Sequence, residues 1–321
     1  MLAVLPSELV PAVGRVAGLP PSAGRFELAG DEVWFTPRHP FPPGLRFSLL
    51  WTGGGPGAAV ELGSAEPVAG GAEPVTSVLE IYPTGPEIPH NNLKLYVHFS
   101  GPMSEGLADG ALRVLDAATG AVLEGAFLPM EPELWDPARR RLTVLLDPGR
   151  IKRGLRPHEE LGYPLRPGRE VVVVVDEAFR DAAGRPLAAP ARRRYRVGPA
   201  ERRRVSPGLW RWTWPAGPDA PVGVAFDRPL DHALLRRCLR LLDGDGAPLP
   251  AAIEVAPGEA AASLRPAVPW ARGGRYRVAI DPRLEDLAGN SLHRVFDRDL
   301  ERPEDAPVPP EDHVVDVVCD W

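Results

Sequence analysis

The sequence predicts an all-β fold in which tandem β-sandwiches follow a short N-terminal β-segment. A stretch rich in β-branched residues at 171–187 recurs without a gap at 276–292, and each copy reads as a strand leading into an Asp-Xaa-Ala-Gly turn. The 321-residue chain also contains 40 prolines and 33 glycines. Proline and glycine spread this widely favour many short strands joined by tight turns over long helices.

The repeated turn is predicted to be structural. Asp181 and Gly184 of the first copy correspond to Asp286 and Gly289 of the second. An aspartate side chain can accept hydrogen bonds from backbone amides just downstream of it, and glycine adopts a left-handed backbone conformation without a Cβ clash. We therefore expect these four residues to shape equivalent corners of two sandwiches and to take no part in catalysis.

Further internal matches set the expected domain boundaries. Residues 35–51 align without a gap on residues 264–280, so residues 1–57 are predicted to form a partial β-repeat. This repeat is either a minimal β-domain or a few strands that complete a neighbouring sheet. The remaining expectations are a glycine-rich linker at 58–74, a first sandwich at 75–200, a second sandwich at 201–300 and a charged, proline-rich tail at 301–321. Residues 313–319 of this tail could add one edge strand.

The composition restricts the classes of function. Hydrophobic residues make up 44% and charged residues 25% of the chain, which is ordinary for a globular protein. The net charge of −6 argues against a general affinity for nucleic acid. No apolar run reaches the roughly 18 residues of a transmembrane helix, and residues 1–10 lack the basic start of a signal peptide. The chain is therefore expected to be cytoplasmic or, as the resemblance described next favours, extracytoplasmic with a targeting segment removed.

Two motifs that recur in the same order in both repeats resemble the SbsA-type bacterial immunoglobulin-like domain (the Big_5 family). The matching residues are Phe99, Ser100, Pro102, Met103, Asp181, Ala183 and Gly184 in the first repeat, and Phe226, Pro229, Leu230, Asp286, Ala288, Gly289 and Asn290 in the second. The second repeat departs at Asp227 and Leu230, where the family usually has Ser and Met. The resemblance covers about residues 75–300 and implies two immunoglobulin-like sandwiches in tandem.

The resemblance also implies a secreted, periplasmic or surface-anchored bacterial protein whose modules space, bind or assemble. It implies no catalytic residues, because the motif positions are structural in that family. We therefore expect a non-enzymatic protein with a role in adhesion, scaffolding or binding. Its expected partner is a cell-surface protein or a polysaccharide, and no cofactor is expected apart from the calcium alternative given below.

The first repeat is longer than the second, and the additional residues include an insertion at 147–163. This insertion and the residues just before it carry a cluster of polar and aromatic side chains: Trp135, His158, Glu159, Glu160 and Tyr163. A histidine beside two carboxylates could ligate a metal or exchange protons, which would give a metal-dependent or hydrolytic site. The alternative is a short capping helix that covers an edge of the sandwich.

Three tryptophans, Trp210, Trp212 and Trp214, alternate along one predicted strand and therefore share a face. Flat aromatic faces suit sugar rings, so this face is a candidate carbohydrate-binding platform. The favoured alternative is that the strand packs against the preceding domain, because large exposed aromatic stripes are rare on soluble proteins.

The remaining polar signals are weaker. The run Asp243-Gly-Asp245-Gly resembles part of a calcium loop but lacks several ligand positions, so a hairpin turn explains it better. The two cysteines, Cys238 and Cys319, lie far apart in sequence and are either small buried hydrophobes or a pair.

Overall fold

The computed structural model describes residues 2–7, 21–30, 32–38, 41, 46–51, 58–62 and 75–321. Its regular structure is almost entirely β-strand, arranged in sheets whose strand pairs are antiparallel with one exception among the described residues, together with a few short helices. The prediction of an all-β fold with tandem sandwiches is therefore confirmed. None of the helices among the described residues is long and apolar enough to cross a membrane.

The described residues of the N-terminal unit form two small sheets. Its strands are β1 (Leu2–Pro6), β2 (Gly24–Ala29), β3 (Glu32–Pro37), β4 (Phe47–Trp51) and β5 (Ala58–Leu62). One sheet has the order β1-β4-β5, and β2 pairs with β3 in the other. The described strands of this unit pair only with one another, so they do not complete a neighbouring sheet.

The expectation of a linker at 58–74 is wrong for its first five residues, since β5 pairs along its whole length with β4. The alternation around Val60 and Leu62 is strand-like, and the glycines on either side obscured it. The remainder of the predicted linker, residues 63–74, lies outside the described residues.

The first sandwich has eight strands and three short helices. In chain order these are β6 (Val78–Tyr82), β7 (Glu87–Pro89), β8 (Lys94–Phe99), α1 (Ala108–Ala111), β9 (Leu112–Asp116), β10 (Leu134–Trp135), β11 (Arg141–Leu145), α2 (Pro148–Ile151), α3 (Arg156–Leu161), β12 (Glu170–Val175) and β13 (Ala191–Gly198). They form two facing sheets with the orders β10-β11-β8-β6 and β7-β13-β12-β9. Alternate residues of each strand fill the space between the sheets, among them Val97, Phe99 and Tyr195.

The second sandwich repeats this plan. Its elements are β14 (Arg211–Thr213), β15 (Val222–Ala225), α4 (His232–Cys238), β16 (Leu239–Asp243), β17 (Pro248–Leu249), β18 (Ala251–Val255), β19 (Ala261–Pro266), β20 (Tyr276–Ile280) and β21 (His313–Val317). Their sheets have the orders β14-β15-β19-β18 and β17-β16-β20-β21. Strand β21 therefore takes the place that β13 has in the first sandwich, beside the strand that precedes the Asp turn.

The boundary of a tail at 301–321 is wrong for its last residues, which form the edge strand that the sequence offered as an alternative. Strand β21 pairs with β20 from Tyr276 opposite Val317 to Ile280 opposite His313. Val317 and Cys319 are buried in the core of the second sandwich. The charged, proline-rich residues 291–312 separate this last strand from the rest of its domain, so the sequence offered residues 313–319 as an edge strand without giving the strand that it pairs with.

The two Asp turns have the same geometry. Asp181 Oδ1 accepts hydrogen bonds from the amides of Ala183 and Arg185, both at 2.9 Å. In the second sandwich, Asp286 Oδ1 accepts them from Ala288 at 2.9 Å and Asn290 at 3.0 Å. In each case the aspartate also forms a β-bridge with the residue that closes the earlier motif, Met103 in the first sandwich and Leu230 in the second.

Gly289 has two reasons to be glycine. Its φ is +79°, and a Cβ there would lie 2.5 Å from Cδ2 of Leu93, which belongs to the first sandwich. Gly273 has a similar φ of +67° but open space around the position of a Cβ. A comparison of alanine substitutions at Gly289 and Gly273 therefore separates the free-energy cost of the backbone conformation from the free-energy cost of overpacking between the sandwiches.

We expect Gly289→Ala to destabilise the protein by several kcal/mol, because it combines left-handed strain of about 1–2 kcal/mol with overpacking of about 1–3 kcal/mol. The matched variant Gly273→Ala should lose only the strain contribution. Chemical denaturation of the full chain, followed by tryptophan fluorescence, measures both. Equal losses of unfolding free energy in the two variants would show that Leu93 moves away from the new methyl group without a free-energy cost.

Candidate functional site

The outer face of strand β8 forms the centre of the interface between the two sandwiches. Side chains alternate along a strand, and Leu95, Val97 and Phe99 point into the core of the first sandwich. The alternate residues Lys94 and Tyr96 point the other way and bind residues of the second sandwich. The alternation that predicted a strand with one buried face thus places the polar face against the second domain.

The carboxylate of Asp231 lies at the centre of this interface and contacts residues of both sandwiches. It accepts a hydrogen bond from the Tyr96 hydroxyl at 2.7 Å and ion-pairs with Lys94 Nζ at 2.9 Å. Asp231 also caps the N-terminus of α4, where its Oδ1 accepts a hydrogen bond from the amide of Leu234 at 2.9 Å. Its side chain is only 2% exposed. Lys94 Nζ reaches a second carboxylate, Glu285, at 2.7 Å.

The electrostatics of this cluster favour its present protonation states. Burial and the Asp231 carboxylate both raise the pKa of Tyr96, which therefore keeps its proton. Burial alone would lower the pKa of Lys94, but the carboxylates of Asp231 and Glu285 outweigh it and the net direction is upward. The ammonium group of Lys94 and the protonated hydroxyl of Tyr96 thus both face the Asp231 carboxylate across the interface.

A stack of aromatic rings extends this interface. The imidazole of His232 lies on the ring of Tyr82, with a centroid distance of 3.6 Å, and His98 lies edge-on to His232 at 5.7 Å. His232 is 5% exposed, and neither of its ring nitrogens has a hydrogen-bond partner within the described residues. Burial, followed by the charge of Arg236, lowers the pKa of His232 to about 4. The ring is therefore neutral at physiological pH.

A small cavity lies between the two sandwiches beside this cluster. Its volume of about 10 Å³ corresponds to a single water position. The residues that line it are Tyr82, Pro83, Lys94, Tyr96, Asp231, His232 and Leu287. The geometry at this point is that of a packed junction with room for one water molecule.

A second contact joins the sandwiches at Thr84. Its amide and hydroxyl donate to the carboxylate of Glu259 at 2.8 and 2.6 Å, and the hydroxyl accepts from the amide of Gly258 at 2.7 Å. Burial raises the pKa of Glu259 against the opposing effect of these hydrogen bonds. Glu259 has a φ of +53°, which is unusual for a residue with a side chain. The contact with Thr84 accounts for a carboxylate held in this conformation.

The connection between the sandwiches is also hydrogen-bonded to both. Asn91 of the first sandwich donates to the carbonyl of Glu201 at 2.7 Å and accepts from its amide at 3.0 Å. Asn290 of the second sandwich donates to the same carbonyl at 3.1 Å. Burial opposes ionisation of the Glu201 carboxyl, but hydrogen bonds from Arg203 and Arg228 prevail and lower its pKa to about 2. The connecting residue is thereby fixed to both domains.

The insertion of the first sandwich contacts a second long segment in the other domain. Arg153, between α2 and α3, donates to the Asp297 carboxylate through its amide at 3.0 Å and through Nε at 2.7 Å. Lys152 Nζ lies 4.5 Å from the ring centroid of Phe296. Asp297 and Phe296 belong to residues 293–312, which have no counterpart in the first sandwich. The two additional segments therefore meet at the interface.

The candidate residues of the insertion do not converge on one point. His158 Nδ1 lies 2.6 Å from the carbonyl of Arg150, and its ring packs edge-on against Tyr163. Glu160 pairs with Arg156 on the surface, and Glu159 is exposed. Among the described residues, no three His, Cys, Asp or Glu side chains lie close enough to hold a metal ion. Both α2 and α3 are instead short helices beside the interface.

Trp135 and Tyr163 have separate surroundings. The ring of Trp135 packs on Phe99 and Phe179 at the edge of the first core, with centroid distances of 5.8 and 6.1 Å. The hydroxyl of Tyr163 accepts a hydrogen bond from Arg202 at 2.6 Å, at the boundary between the domains. Trp135 is therefore part of the packing of the first sandwich, and Tyr163 is part of the interface between the sandwiches.

The tryptophan face points into its own sandwich, so the expectation that it packs against the preceding domain is wrong. Trp210 is buried against Phe226, with a centroid distance of 4.8 Å. Trp212 lies opposite the buried Val224 on the neighbouring strand, and cross-strand partners share a face. Trp214 stacks on Trp212 at 5.8 Å. Packing within the core of the second sandwich, rather than a carbohydrate platform, accounts for these rings.

The remaining polar signals are local structure. Asp243 Oδ1 accepts hydrogen bonds from the amides of Asp245 at 3.0 Å and Ala247 at 2.8 Å, which forms a hairpin turn. Cys238 and Cys319 are both free thiols buried in the second core. Burial raises the pKa of Cys238 to about 11, so this thiol remains protonated.

The sequence interpretation did not single out Asp231, Lys94, Tyr96 or His232 as site residues. A usable signal was present in β8, because its outward positions carry a lysine, a tyrosine and a histidine rather than small polar residues. Tyr96 is the informative position of the three, because its aromatic ring carries a large apolar area that another surface can cover while its hydroxyl finds a hydrogen-bond partner.

Comparisons with known proteins add little to this description. No protein-family model matches the sequence, and no curated protein matches it. Among solved structures, the chain is similar to native alpha-2-macroglobulin from Escherichia coli spanning domains MG0-NIE-MG1, with a TM-score of 0.26, 10% identity, and coverage of 65% of this chain and 67% of that chain. It is also similar to Sidekick-1 immunoglobulin domains 1–4, with a TM-score of 0.16, 8% identity, and coverage of 100% and 67%. Both TM-scores are low, so the fold rests on the strands and registers of this chain itself.

Replacing Asp231 with alanine should destabilise the full chain by about 3–5 kcal/mol, because it leaves Lys94 and Tyr96 without their buried partner and removes the cap of α4. The matched variant Asp219→Ala removes an exposed carboxylate of the same domain and should change stability by less than about 0.5 kcal/mol. Denaturant titrations of both variants test this. Similar stabilities for the two would contradict the role assigned to Asp231.

His232 should make the protein sensitive to acid. An unfolded histidine has a pKa near 6.5, above the value of about 4 in the folded protein, so the unfolded state binds more protons between these values. Its contribution is complete above about pH 6.5 and is lost as the pH falls towards 4, by about 2 kcal/mol at pH 5. The charged and titratable groups around the ring are Arg236, His98, Asp231, Arg141, Glu259 and Tyr82.

The variant His232→Phe keeps the stack on Tyr82 and removes the titrating group. Its stability relative to the wild type should therefore rise by about 2 kcal/mol between pH 7.5 and pH 5, measured by denaturant unfolding at each pH. His313→Phe, at an exposed position of β21, serves as the control. An unchanged difference between His232→Phe and the wild type would rule out His232 as the acid-sensitive group.

Proposed function

We propose that the chain is a non-enzymatic bacterial module protein that acts outside the cytoplasm as a rigid scaffold or binding element. The observation that carries this proposal is the buried junction centred on Asp231, which fixes one sandwich against the other. Domains joined by a short connection move relative to one another by default, unless their interface is extensive. Here the interface is both hydrogen-bonded and paired in charge, which is the arrangement needed when the spacing and orientation of domains matter.

The chemistry of the interface supports a role in orientation. A buried ion pair contributes little net stability compared with apolar packing, but it penalises every arrangement that separates its members. The contacts of Lys94, Thr84 and Arg153 lie at separate points along the interface. Several such contacts together define both the angle and the rotation of the second sandwich relative to the first.

The resemblance of both repeats to SbsA-type immunoglobulin-like domains supports the proposed location and class. That family is bacterial and extracytoplasmic, and its motif residues have structural roles. In this chain Asp181, Met103, Asp286 and Leu230 form the corner bridges of two sandwiches. A cell-surface protein or a polysaccharide is the class of partner that such a scaffold would position or hold.

Rigidity can be measured directly with probes on the two sandwiches. Cysteines placed at Ala118 and Ala247, which are exposed turn residues, would carry spin labels in a background where Cys238 and Cys319 are replaced by alanine. We expect a single narrow distance distribution in electron paramagnetic resonance and a broad one after Asp231→Ala. A broad distribution in the parent protein would overturn the rigid-scaffold proposal.

The proposed location is tested separately. Fractionation of the source bacterium with an antibody against the chain should recover the protein from the cell envelope or the medium, together with a marker of those fractions. Recovery with a cytoplasmic marker would exclude an extracytoplasmic role. It would leave the measured rigidity of the two sandwiches unaffected, so the two parts of the proposal fail independently.

A further inference from the structure

The N-terminal unit repeats five strands of the second sandwich. Its sheet β1-β4-β5 corresponds to β16-β20-β21, since Phe47 lies opposite Leu62 as Tyr276 lies opposite Val317. Its hairpin β2-β3 corresponds to β18-β19, where Ile253 pairs with Leu264 and Phe26 pairs with Phe35 in the same place. The aromatic contact between the connecting loop and the strand that follows it is also repeated, as Phe41 on Phe47 at 3.7 Å and Trp270 on Tyr276 at 4.9 Å.

The two structures differ at one edge. In the second sandwich, β19 has β18 on one side and β15 on the other, and β14 follows β15. In the described part of the N-terminal unit, β3 pairs with β2 alone. The unit therefore has the place for the counterparts of β14 and β15 but shows no strand in it among the described residues.

The exposure of side chains follows from this difference. Val33 is 45% exposed, whereas Ala262, at the same place in the second sandwich, is 5% exposed. Leu28, the cross-strand partner of Val33, is 81% exposed. In the second sandwich, Ala262 lies opposite Val224 of β15. The inner face of the hairpin is thus apolar and uncovered where the second sandwich places a valine-bearing strand.

We propose that the edge of β3 that has no partner among the described residues, together with the inner face around Val33 and Leu28, forms a docking site for two antiparallel strands from another polypeptide. The second sandwich defines what the occupant must look like: a strand antiparallel to β3 with branched apolar residues at alternate positions, flanked by a second strand bearing aromatic residues. The chain's own β14 and β15 are already paired, with Val222 and Val224 buried, and are not available for this role.

Pairing of this kind satisfies both requirements of the site. An unpaired edge presents backbone amides and carbonyls that an incoming strand can bind, and this main-chain pairing provides affinity. The alternate side chains of the incoming strand then cover Leu28, Val33 and Phe35, which provides specificity for apolar residues at every second position. The site is independent of the junction at Asp231, so it does not rest on the proposed scaffold function.

The probe for this site is a fluorescein-labelled synthetic peptide with the sequence of residues 207–228, which contains β14 and β15. We expect it to bind the full-length protein in a saturable manner by fluorescence anisotropy, and to protect the amides of β3 from hydrogen exchange. A control peptide carrying Val222→Asp and Val224→Asp should bind at least tenfold more weakly.

Two variants of the full chain locate the binding. Val33→Lys should weaken peptide binding at least tenfold, whereas Val268→Lys, a change at an exposed valine of the second sandwich, should leave it unchanged. The proposal is overturned if the peptide does not bind, if Val33→Lys has no effect, or if protection appears outside the hairpin. Concentration-dependent dimerisation that protects β3 without peptide would place a second copy there and would also overturn the choice of occupant.

Discussion

The relative arrangement of the two sandwiches depends on one buried carboxylate. An aspartate without hydrogen-bond partners is costly to bury, and the partners of Asp231 come from both domains. Tyr96 and Lys94 approach it from β8, while the amide of Leu234 approaches it from α4. If β8 and α4 moved apart with their domains, Asp231 would lose its partners from β8, and Lys94 would lose both Asp231 and Glu285, which belong to the second sandwich. The start of α4, the outer face of β8 and the angle between the domains are therefore fixed together.

The two Asp turns show how one corner was adapted to this interface. In the first sandwich the turn ends in Arg185, whose side chain pairs with Asp181 near the surface. In the second sandwich Asn290 stands at the same place, is 1% exposed, and donates both to Asp286 and to the carbonyl of Glu201. A long charged side chain suits an exposed corner, whereas a short amide satisfies two acceptors in a buried one. The hydrogen bonds that form the turn remain the same.

Local patterns predicted the parts of this structure that local chemistry determines. The Asp turns, the alternation of β8 and the sharing of one face by Trp210, Trp212 and Trp214 all follow from backbone periodicity. Which way that face points could not be predicted, because it depends on the register between β14 and β15. The sequence offered an edge strand at residues 313–319 but could not give its partner, for a related reason. Its pairing with β20 spans a long proline-rich segment, and short-range patterns carry no information about such distant partners.

Sequence length and composition nevertheless carried unused information about the interface. Each sandwich has one long segment that the other lacks, and these segments contact each other through Arg153 and Asp297. This contact stabilises both segments. Neither segment could form it in an isolated domain. The two lysines of this arginine-rich chain, Lys94 and Lys152, also both lie at the interface. A compact ammonium group has donors that can rotate towards two carboxylates at once, whereas the planar fork of arginine fits one in a fixed geometry. For Lys94, placed between Asp231 and Glu285, this difference gives a physical reason for lysine where the rest of the chain uses arginine.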